Sequence, residues 1–246
     1  MNQKSGVAIL YGGKSVEHKI SLRSARNIFE NLDRSRFEPV LIGIDQDGNW
    51  FYHPEFTTDI RSGYPLHLHL KQEGPVFHCS EPGVSPGRID VVFHVLHGND
   101  GEDGSIQGLF KTLNIPVVGT GVTGSAVSMD KILTKKLLRD AGIRVCRYRH
   151  FSYEQKATIL FKEIVNDLGL PLIIKPVSSG SSVGVSKIRN EEMFYQAIED
   201  TFQYDNELMF EEFITGREME CAVKGNVNPV ASLPGEIIVG KQHDFY

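Results

Sequence analysis

Apolar and polar positions along the chain switch repeatedly between two periods, and each switch predicts an element. A run of apolar residues over 7–11, ending at Gly12 and Gly13, predicts a buried strand. After a polar loop, Leu22, Ala25, Ile28, Phe29 and Leu32 recur at helical spacing, with Ser21 the expected N-cap. A second buried strand is expected over 39–45, and a turn over 45–49 leads into Trp50, Phe51 and Tyr52. A strand, loop, helix and strand in that order mark a parallel sheet covered by helices. Residues 53–89 are rich in Pro, Gly and His and poorly periodic, so they are expected to form irregular excursions at the sheet edge. A clear strand over 90–96 follows, then a helix marked by Ile106, Leu109, Phe110 and Leu113, then a short strand over 116–118. Gly119, Gly121 and Gly124 mark a linker and the expected domain boundary.

The second half opens with a helix over 130–141, its apolar positions Ile132, Leu133, Leu137 and Leu138, stopped by Gly142. Strands are expected over 145–151, 172–175, 185–188, 208–213 and 218–223, and helices over 154–168 and 191–202. A Ser- and Gly-rich loop spans 178–184. Elements in this arrangement suggest α+β, with helices packed on one sheet face. No internal repeat or low-complexity tract is present.

Composition narrows the function. The 246 residues, 40% of them hydrophobic, suffice for one large domain or two modest ones. Lys plus Arg is 26 against 31 for Asp plus Glu, a net charge of −5, which argues against a dedicated nucleic-acid binder. Phosphorylated small molecules stay open, because a phosphate pocket is local. Cys79, Cys146 and Cys221 lie far apart and are odd in number, which disfavours a disulfide framework and fits a reducing cytoplasm. The start of the chain and the lack of a long apolar stretch predict neither a signal peptide nor a membrane span.

Four segments carry candidate chemistry. In the 178–184 loop, small residues let backbone N–H groups approach a phosphate while serine hydroxyls donate further bonds. Lys175, just upstream, adds a point charge. The order strand, Lys, Pro, loop, strand is that of a hairpin cover rather than a Walker loop, and a plain flexible hairpin would look the same. Over 208–220, alternation places Glu211 and Phe213 on one strand face and Glu212 on the other, where a carboxylate can accept from an adenine amino group. A solvated acidic strand end has the same pattern. The loop over 11–21, after the first strand, falls where ligand crevices form in open α/β sheets, and Glu17 can hold an ammonium group there. It lacks the G-x-G-x-x-G fingerprint. His97 ends a strand at the same sheet edge, ahead of the acidic glycine loop 98–104. A zinc site is disfavoured: His67 and His69 share a strand face and His94 and His97 are close, yet no cysteine or carboxylate has fitting spacing.

Together these segments lose their ambiguity. Gly12, Gly13, Ser15, Glu17 and His18; His97, Gly98, Gly101, Glu102, Asp103, Gly104, Ile106, Gln107 and Gly108; Ser128, Met129, Asp130 and Lys131; Lys175, Pro176, Gly180, Ser181, Ser182, Val183 and Gly184; and Glu211, Glu212, Phe213, Gly216, Arg217 and Glu218 follow the order found in D-alanine–D-alanine ligases. The resemblance covers essentially the whole chain and places it in the ATP-grasp superfamily. It implies an α/β fold: a Rossmann-like parallel-sheet domain over 1–124, an ATP-grasp α+β domain over 125–214, and the incomplete beginning of a C-terminal domain over 215–246.

The implied reaction is ATP-dependent ligation of two D-alanines, through an acyl phosphate, for peptidoglycan synthesis. By resemblance, Glu17 binds the first D-alanine's ammonium, Ser181 helps orient Glu17 and the substrate, and His97 lies near the second D-alanine. Lys131, Lys175 and the loop residues Ser179, Gly180, Ser181 and Ser182 serve the ATP phosphates. Glu211 meets the adenine amino group, Glu212, Phe213 and Ile214 form the hinge along the base, and Glu218 meets ribose. Lys19 stands where relatives often carry an acid.

The family continues past Tyr246 into a closing loop and the ligands of Mg²⁺ (or Mn²⁺), so no metal ligand is expected within this sequence, and the chain alone is expected to make no dipeptide. Ile237, Ile238 and Val239 are expected to be left unpaired. The expected partners are D-alanine, ATP and a second copy bound through the N-terminal domain, with no nucleic acid and no membrane. The alternatives are a non-catalytic remnant that modulates a full-length ligase, and a sister ligase that joins D-lactate or D-serine.

Overall fold

The computed structural model describes residues 4–71, 74–180 and 183–238. Its contacts divide the chain into two compact units. The first runs through Leu137 and takes in the loop beginning at Ser178; the second holds Leu138–Val177 and the described residues from 183 onward.

The first unit is built on strands β1 (Ser5–Gly12), β2 (Phe37–Ile44), β3 (Trp50–His53), β4 (Tyr64–Lys71), β5 (Gly74–Cys79) and β6 (Val91–His94), in the order β5-β4-β3-β2-β1-β6. β2, β1 and β6 run parallel, while β3, β4 and β5 extend the sheet antiparallel beyond β2. Alternation along β1 and β2 loads both faces. Ala8, Leu10, Val40 and Ile42 pack with Ile106, Phe110 and Leu113 of helix α2 or its end, whereas Ile9, Tyr11 and Leu41 pack with Ala25 of helix α1. α1 spans His18–Asn31 and α2 spans Ser105–Thr112. Both helices begin at the carboxyl end of a parallel strand, so the loops that carry Glu17 and His97 meet at one sheet edge.

Three local expectations change. Ser21 is not an N-cap: α1 starts at His18, and Ser21 is buried within it. Its hydroxyl accepts from the Gly12 N–H at 2.8 Å and donates to the Val95 carbonyl at 2.6 Å, which ties the ends of β1 and β6 together. The irregular edge contains the regular β4–β5 hairpin, with Leu66 opposite Cys79, both buried. Its period of two, Leu66 and Leu68 alternating with His67 and His69, is masked by the flanking Pro and Gly. The linker is also partly helical, since α3 spans Val122–Met129 and the Ser125 N–H closes its first turn on the Gly121 carbonyl at 2.9 Å.

Helix α4 (Lys131–Asp140) follows, its free N–H groups capped by Asp130, whose carboxylate accepts from Ile132 and Leu133. The second unit carries β7 (Tyr148–Ser152), α5 (Phe161–Leu168), β8 (Leu172–Pro176), β9 (Ser186–Ile188), α6 (Glu191–Thr201) and β10 (Glu207–Glu212). The four strands form an antiparallel sheet in the order β7-β10-β8-β9. Ile164 and Leu168 of α5 and Phe194, Ala197 and Ile198 of α6 bury one sheet face against Leu172, Ile174, Leu208 and Phe210. The rings of Phe194 and Phe210 stack at 4.9 Å.

The helix expected over 154–168 is two pieces. A 3₁₀ segment over Tyr153–Thr158 is held by a capping box between Ser152 and Gln155, and α5 starts only after Ile159 turns inward, extended and buried. Past β10, β11 (Glu218–Glu220), β12 (Val223–Lys224), β13 (Val230–Ala231) and β14 (Gly235–Ile237) pair as β11-β14 and β12-β13. Ile237, expected to be unpaired, sits in register with Glu218; Ile238 is exposed and Val239 lies outside the described residues.

Candidate active site

In the first unit, the β1–α1 loop brings Glu17 to the start of α1, where the Ser15 hydroxyl accepts from the Glu17 N–H at 3.1 Å. His18 turns back and its Nδ1 meets the Gly13 carbonyl at 2.7 Å. Facing this loop is the one after β6. Gly98 has φ +69, and a Cβ there would lie 2.9 Å from Ser15 Oγ and 3.1 Å from Glu17 Oε2. The two loops therefore touch at a place where any side chain would intrude, in a backbone conformation that disfavours one. This is a close approach of a carboxylate to bare backbone.

His97 stands beside it. Its Nε2 lies 3.3 Å from Ser24 Oγ of α1, and its Nδ1 lies 3.6 Å from Glu102 Oε1, an ion-pair rather than a hydrogen-bond separation. The other Glu102 oxygen accepts from the Gly98 N–H at 2.8 Å. Glu102 holds the His97 imidazole above its ordinary pKa against the opposing effect of burial, and Glu17 adds in the same direction. His97 in turn holds the Glu102 carboxyl below its ordinary value. His94, further inside, is pushed the other way by burial, below the ordinary histidine value. Beside these loops lies a cleft of about 370 Å³, lined by Ile44, Trp50, Leu96 and Ile106 and by Lys14 and Asp100, which form an ion pair at 2.8 Å.

The loop beginning at Ser178 groups with this unit. The Lys131 ammonium donates to the Ser179 carbonyl at 2.5 Å, and a Cβ on Gly180 would lie 3.7 Å from Glu17 Oε2. Lys131, Ser179, Gly180 and Glu17 thus belong to one neighbourhood. Ser181 and Ser182 lie outside the described residues.

In the second unit, sheet register explains which side chains share a face. Met209 is opposite Lys175, Glu211 is opposite Ile173, and Ile173 is opposite Lys187. These positions point away from the helix-covered face, because their neighbours Leu172, Ile174, Leu208 and Phe210 fill the core. Lys175 Nζ and Glu211 Oε2 form an ion pair there, with Glu211 buried. Lys187 Nζ lies 3.6 Å from the centroid of the Phe213 ring. Glu212 points to the other side, where its carboxylate accepts from the Arg147 backbone N–H at 2.8 Å and from its guanidinium at 2.7 Å. The Glu212 side chain is thus committed to β7's lead-in, leaving its backbone to line the face. Ile214 is exposed beyond the strand, and Glu218 is exposed in β11.

Ser15 and Glu102 stand in the sequence motifs without an assigned role, and Lys187 stands in none of them. Lys187 was findable in principle, since β9 pairs with β8 and period two places it on the Lys175 face. Ser15 and Glu102 act through loop contacts that no period encodes.

Comparison with known proteins decides the family. A family model described as D-ala D-ala ligase N-terminus matches residues 6–120, and one described as D-ala D-ala ligase C-terminus matches 137–246. The chain belongs to the D-alanine–D-alanine ligase family. A D-alanine–D-alanine ligase from Oceanobacillus iheyensis is 44% identical across 99% of this chain and 69% of that protein. D-alanine–D-alanine ligase A of Escherichia coli K12 is 42% identical across 99% and 70%. The solved D-alanine–D-alanine ligase from Coxiella burnetii superposes with TM-score 0.85 at 38% identity, covering 96% of this chain and 71% of that one. The VanG D-Ala:D-Ser ligase from Enterococcus faecalis superposes with TM-score 0.83 at 34% identity, covering 95% and 70%. D-alanine–D-alanine ligases are ATP-grasp, ATP-dependent enzymes of peptidoglycan synthesis, and the mixed α/β architecture agrees with that fold. Among the described residues no helix is long and apolar enough to cross a membrane, and Cys79, Cys146 and Cys221 are all free.

Proposed function

We propose that this D-alanine–D-alanine ligase chain binds D-alanine and ATP and serves their conversion, through an acyl phosphate, to D-alanyl-D-alanine. The observation that supports this most is the Glu17 carboxylate seated against the bare Gly98 backbone beside His97, at the edge where both parallel-strand loops end. In this reading Glu17 takes the ammonium of the first D-alanine, Ser181 orients Glu17 and the substrate, and His97 faces the second D-alanine. Its raised pKa suits the second substrate's carboxylate, since a protonated imidazole offers a positive charge. Lys131 and Lys175, with Ser179, Gly180 and Ser182, serve the ATP phosphates. Glu211 accepts from the adenine amino group, the backbone of Glu212, Phe213 and Ile214 runs along the base, and Glu218 meets ribose. Residues 1–124 form the N-terminal domain, 125–214 the ATP-grasp domain, and 215–246 belong to the C-terminal domain. The N-terminal domain pairs two copies into a homodimer, in the cytoplasm.

The chemistry asks for positioning more than for covalent catalysis. Two carboxylates must be brought near a triphosphate, and charge on the transferring phosphoryl group must be matched by fixed donors. Mg²⁺ (or Mn²⁺) supplies part of that charge in the family. Among the described residues no three His, Cys, Asp or Glu side chains come together to hold such an ion.

Calorimetric titration tests the reading. Glu17→Gln should weaken D-alanine binding about tenfold or more, as expected for loss of a charged hydrogen-bond partner, while binding of a non-hydrolysable ATP analogue is unchanged. Glu211→Gln should do the reverse. Wild-type affinity for D-alanine in Glu17→Gln overturns the assignment.

A further inference from the structure

Gln107 has no role in the reading above, yet its side chain is among the few polar ones that are almost fully buried, 4% exposed, on the inner face of α2. Its amide nitrogen donates to the Gly101 carbonyl at 2.8 Å and lies 3.3 Å from His94 Nε2. Gly101 sits midway along the loop that carries His97 and Glu102, and it is packed too tightly for a side chain, since a Cβ there would fall 2.3 Å from the Leu96 carbonyl oxygen. The same loop is also tied at its start, where Glu102 accepts from the Gly98 N–H. A donor held by a helix, aimed at the middle of a loop, sets the path of that loop.

His94 completes the arrangement. Burial lowers its pKa, and in the neutral tautomer with the proton on Nδ1 the Nε2 accepts from the Gln107 amide at 3.3 Å. Gln107 needs both amide protons for this, one for Gly101 and one for His94. A side chain of equal length without a donor loses both bonds.

We propose that Gln107 is a positioning residue: its buried amide, gripping the Gly101 carbonyl, holds Glu102 at His97 and both at the Glu17 edge of the sheet. The proposal deepens the assignment of His97 to the second D-alanine, and rests on it only for the kinetic consequence. Gln107 touches no substrate. It acts through the loop, by keeping a carboxylate beside an imidazole whose charge the second substrate meets.

The test reads the loop directly. In this chain, without substrate, the His97 imidazole is titrated by NMR in wild type, in Gln107→Met, which keeps length and volume but has no donor, and in Glu102→Gln, which removes the charged partner. Glu102→Gln should lower the His97 midpoint toward that of an ordinary histidine, with Glu17 and His94 the remaining charged or titratable neighbours. Gln107→Met should lower it in the same direction, and the double variant should go no lower than Glu102→Gln alone, because both act through one contact. A folded Gln107→Met whose His97 titrates as in wild type overturns the proposal. If Gln107→Met does not fold, Gln107→Leu, which is also uncharged and without a donor, is read in the same way and by the same criterion. A second readout uses the complete ligase: Gln107→Met should raise the KM for the second D-alanine about tenfold or more and spare that for the first, in line with the cost of misplacing a reacting partner by a fraction of an ångström. A lowered His97 midpoint with unchanged KM keeps Gln107 as the loop's anchor and rejects His97 as the second-substrate residue, so the two failures are distinguishable.

Discussion

Gly98→Ala separates the cost of a strained backbone from the cost of crowding Glu17. Gly98 has φ +69, and an alanine held in that region costs about 1–2 kcal/mol. Its methyl would also stand 2.9 Å from Ser15 Oγ and 3.1 Å from Glu17 Oε2, so both must retreat by a few tenths of an ångström. Ser15 accepts from the Glu17 backbone N–H, and the retreat therefore carries the residue with it, main chain and carboxylate together. Gly87→Ala is the matched control: φ is +79 there and nothing lies within 4 Å of the added methyl. Urea denaturation should show Gly87→Ala losing about 1–2 kcal/mol and Gly98→Ala losing at least as much, with the crowding added. Calorimetry with D-alanine should show Gly87→Ala binding as wild type and Gly98→Ala binding about fourfold more weakly, the share of a hundredfold loss per ångström that a shift of a few tenths implies. Equal affinity in the two folded variants would refute both the crowding argument and the placement of the substrate ammonium at Glu17.

Three further outcomes follow from the same geometry. Ser21→Ala leaves the buried Gly12 N–H without its acceptor and frees the Val95 carbonyl, so it should cost about 1–3 kcal/mol in urea denaturation. Phe194→Ala, which empties a fully buried site stacked on Phe210, should cost about 3–5 kcal/mol and lower Tm. The His97–Glu102 pair should make stability pH-dependent in a defined window. The raised imidazole contributes fully below its ordinary value of 6.5 and is lost as pH rises through its folded value, whereas the lowered carboxyl contributes above 4.5 and is lost as pH falls through its own. The stability gap between wild type and Glu102→Gln should thus be widest between about pH 4.5 and 6.5 and narrow as pH rises through the raised His97 value; a gap that does not change with pH means the two side chains do not interact.

What the sequence made legible is whatever repeats at the period of one element. β1, α1, β2, β6 and α2 could be placed from apolar spacing alone, because each buries a face against its neighbours and the pattern of 2.0 or 3.6 residues survives in the letters. β4 had the same signal in Leu66 and Leu68, but histidines on its solvent face and the prolines nearby hid it. Ser21 misled for a different reason. A serine ahead of an apolar stripe has the local signature of a cap, and only the tertiary neighbours Gly12 and Val95 show that it caps nothing and instead ties two strand ends together.

For the candidate site, the sequence offers residues but not the partners that the fold gives them. Glu211 and Glu212 are adjacent acids, and alternation alone assigns them opposite faces of a strand. It does not say that one meets Lys175 across β8 while the other is taken by Arg147 ahead of β7. Those partners are set by sheet register, which brings residues 36 and 65 positions away into contact with neighbouring letters. The same holds for Gly98, whose glycine is explained by Ser15 and Glu17, 83 and 81 positions upstream. A motif marks the residues that must be present; the fold decides which of their atoms are already spent on one another. Glu212 shows the consequence: its carboxylate is spent on the Arg147 backbone N–H and guanidinium, so only its backbone is left to serve the face that Lys175 and Glu211 share.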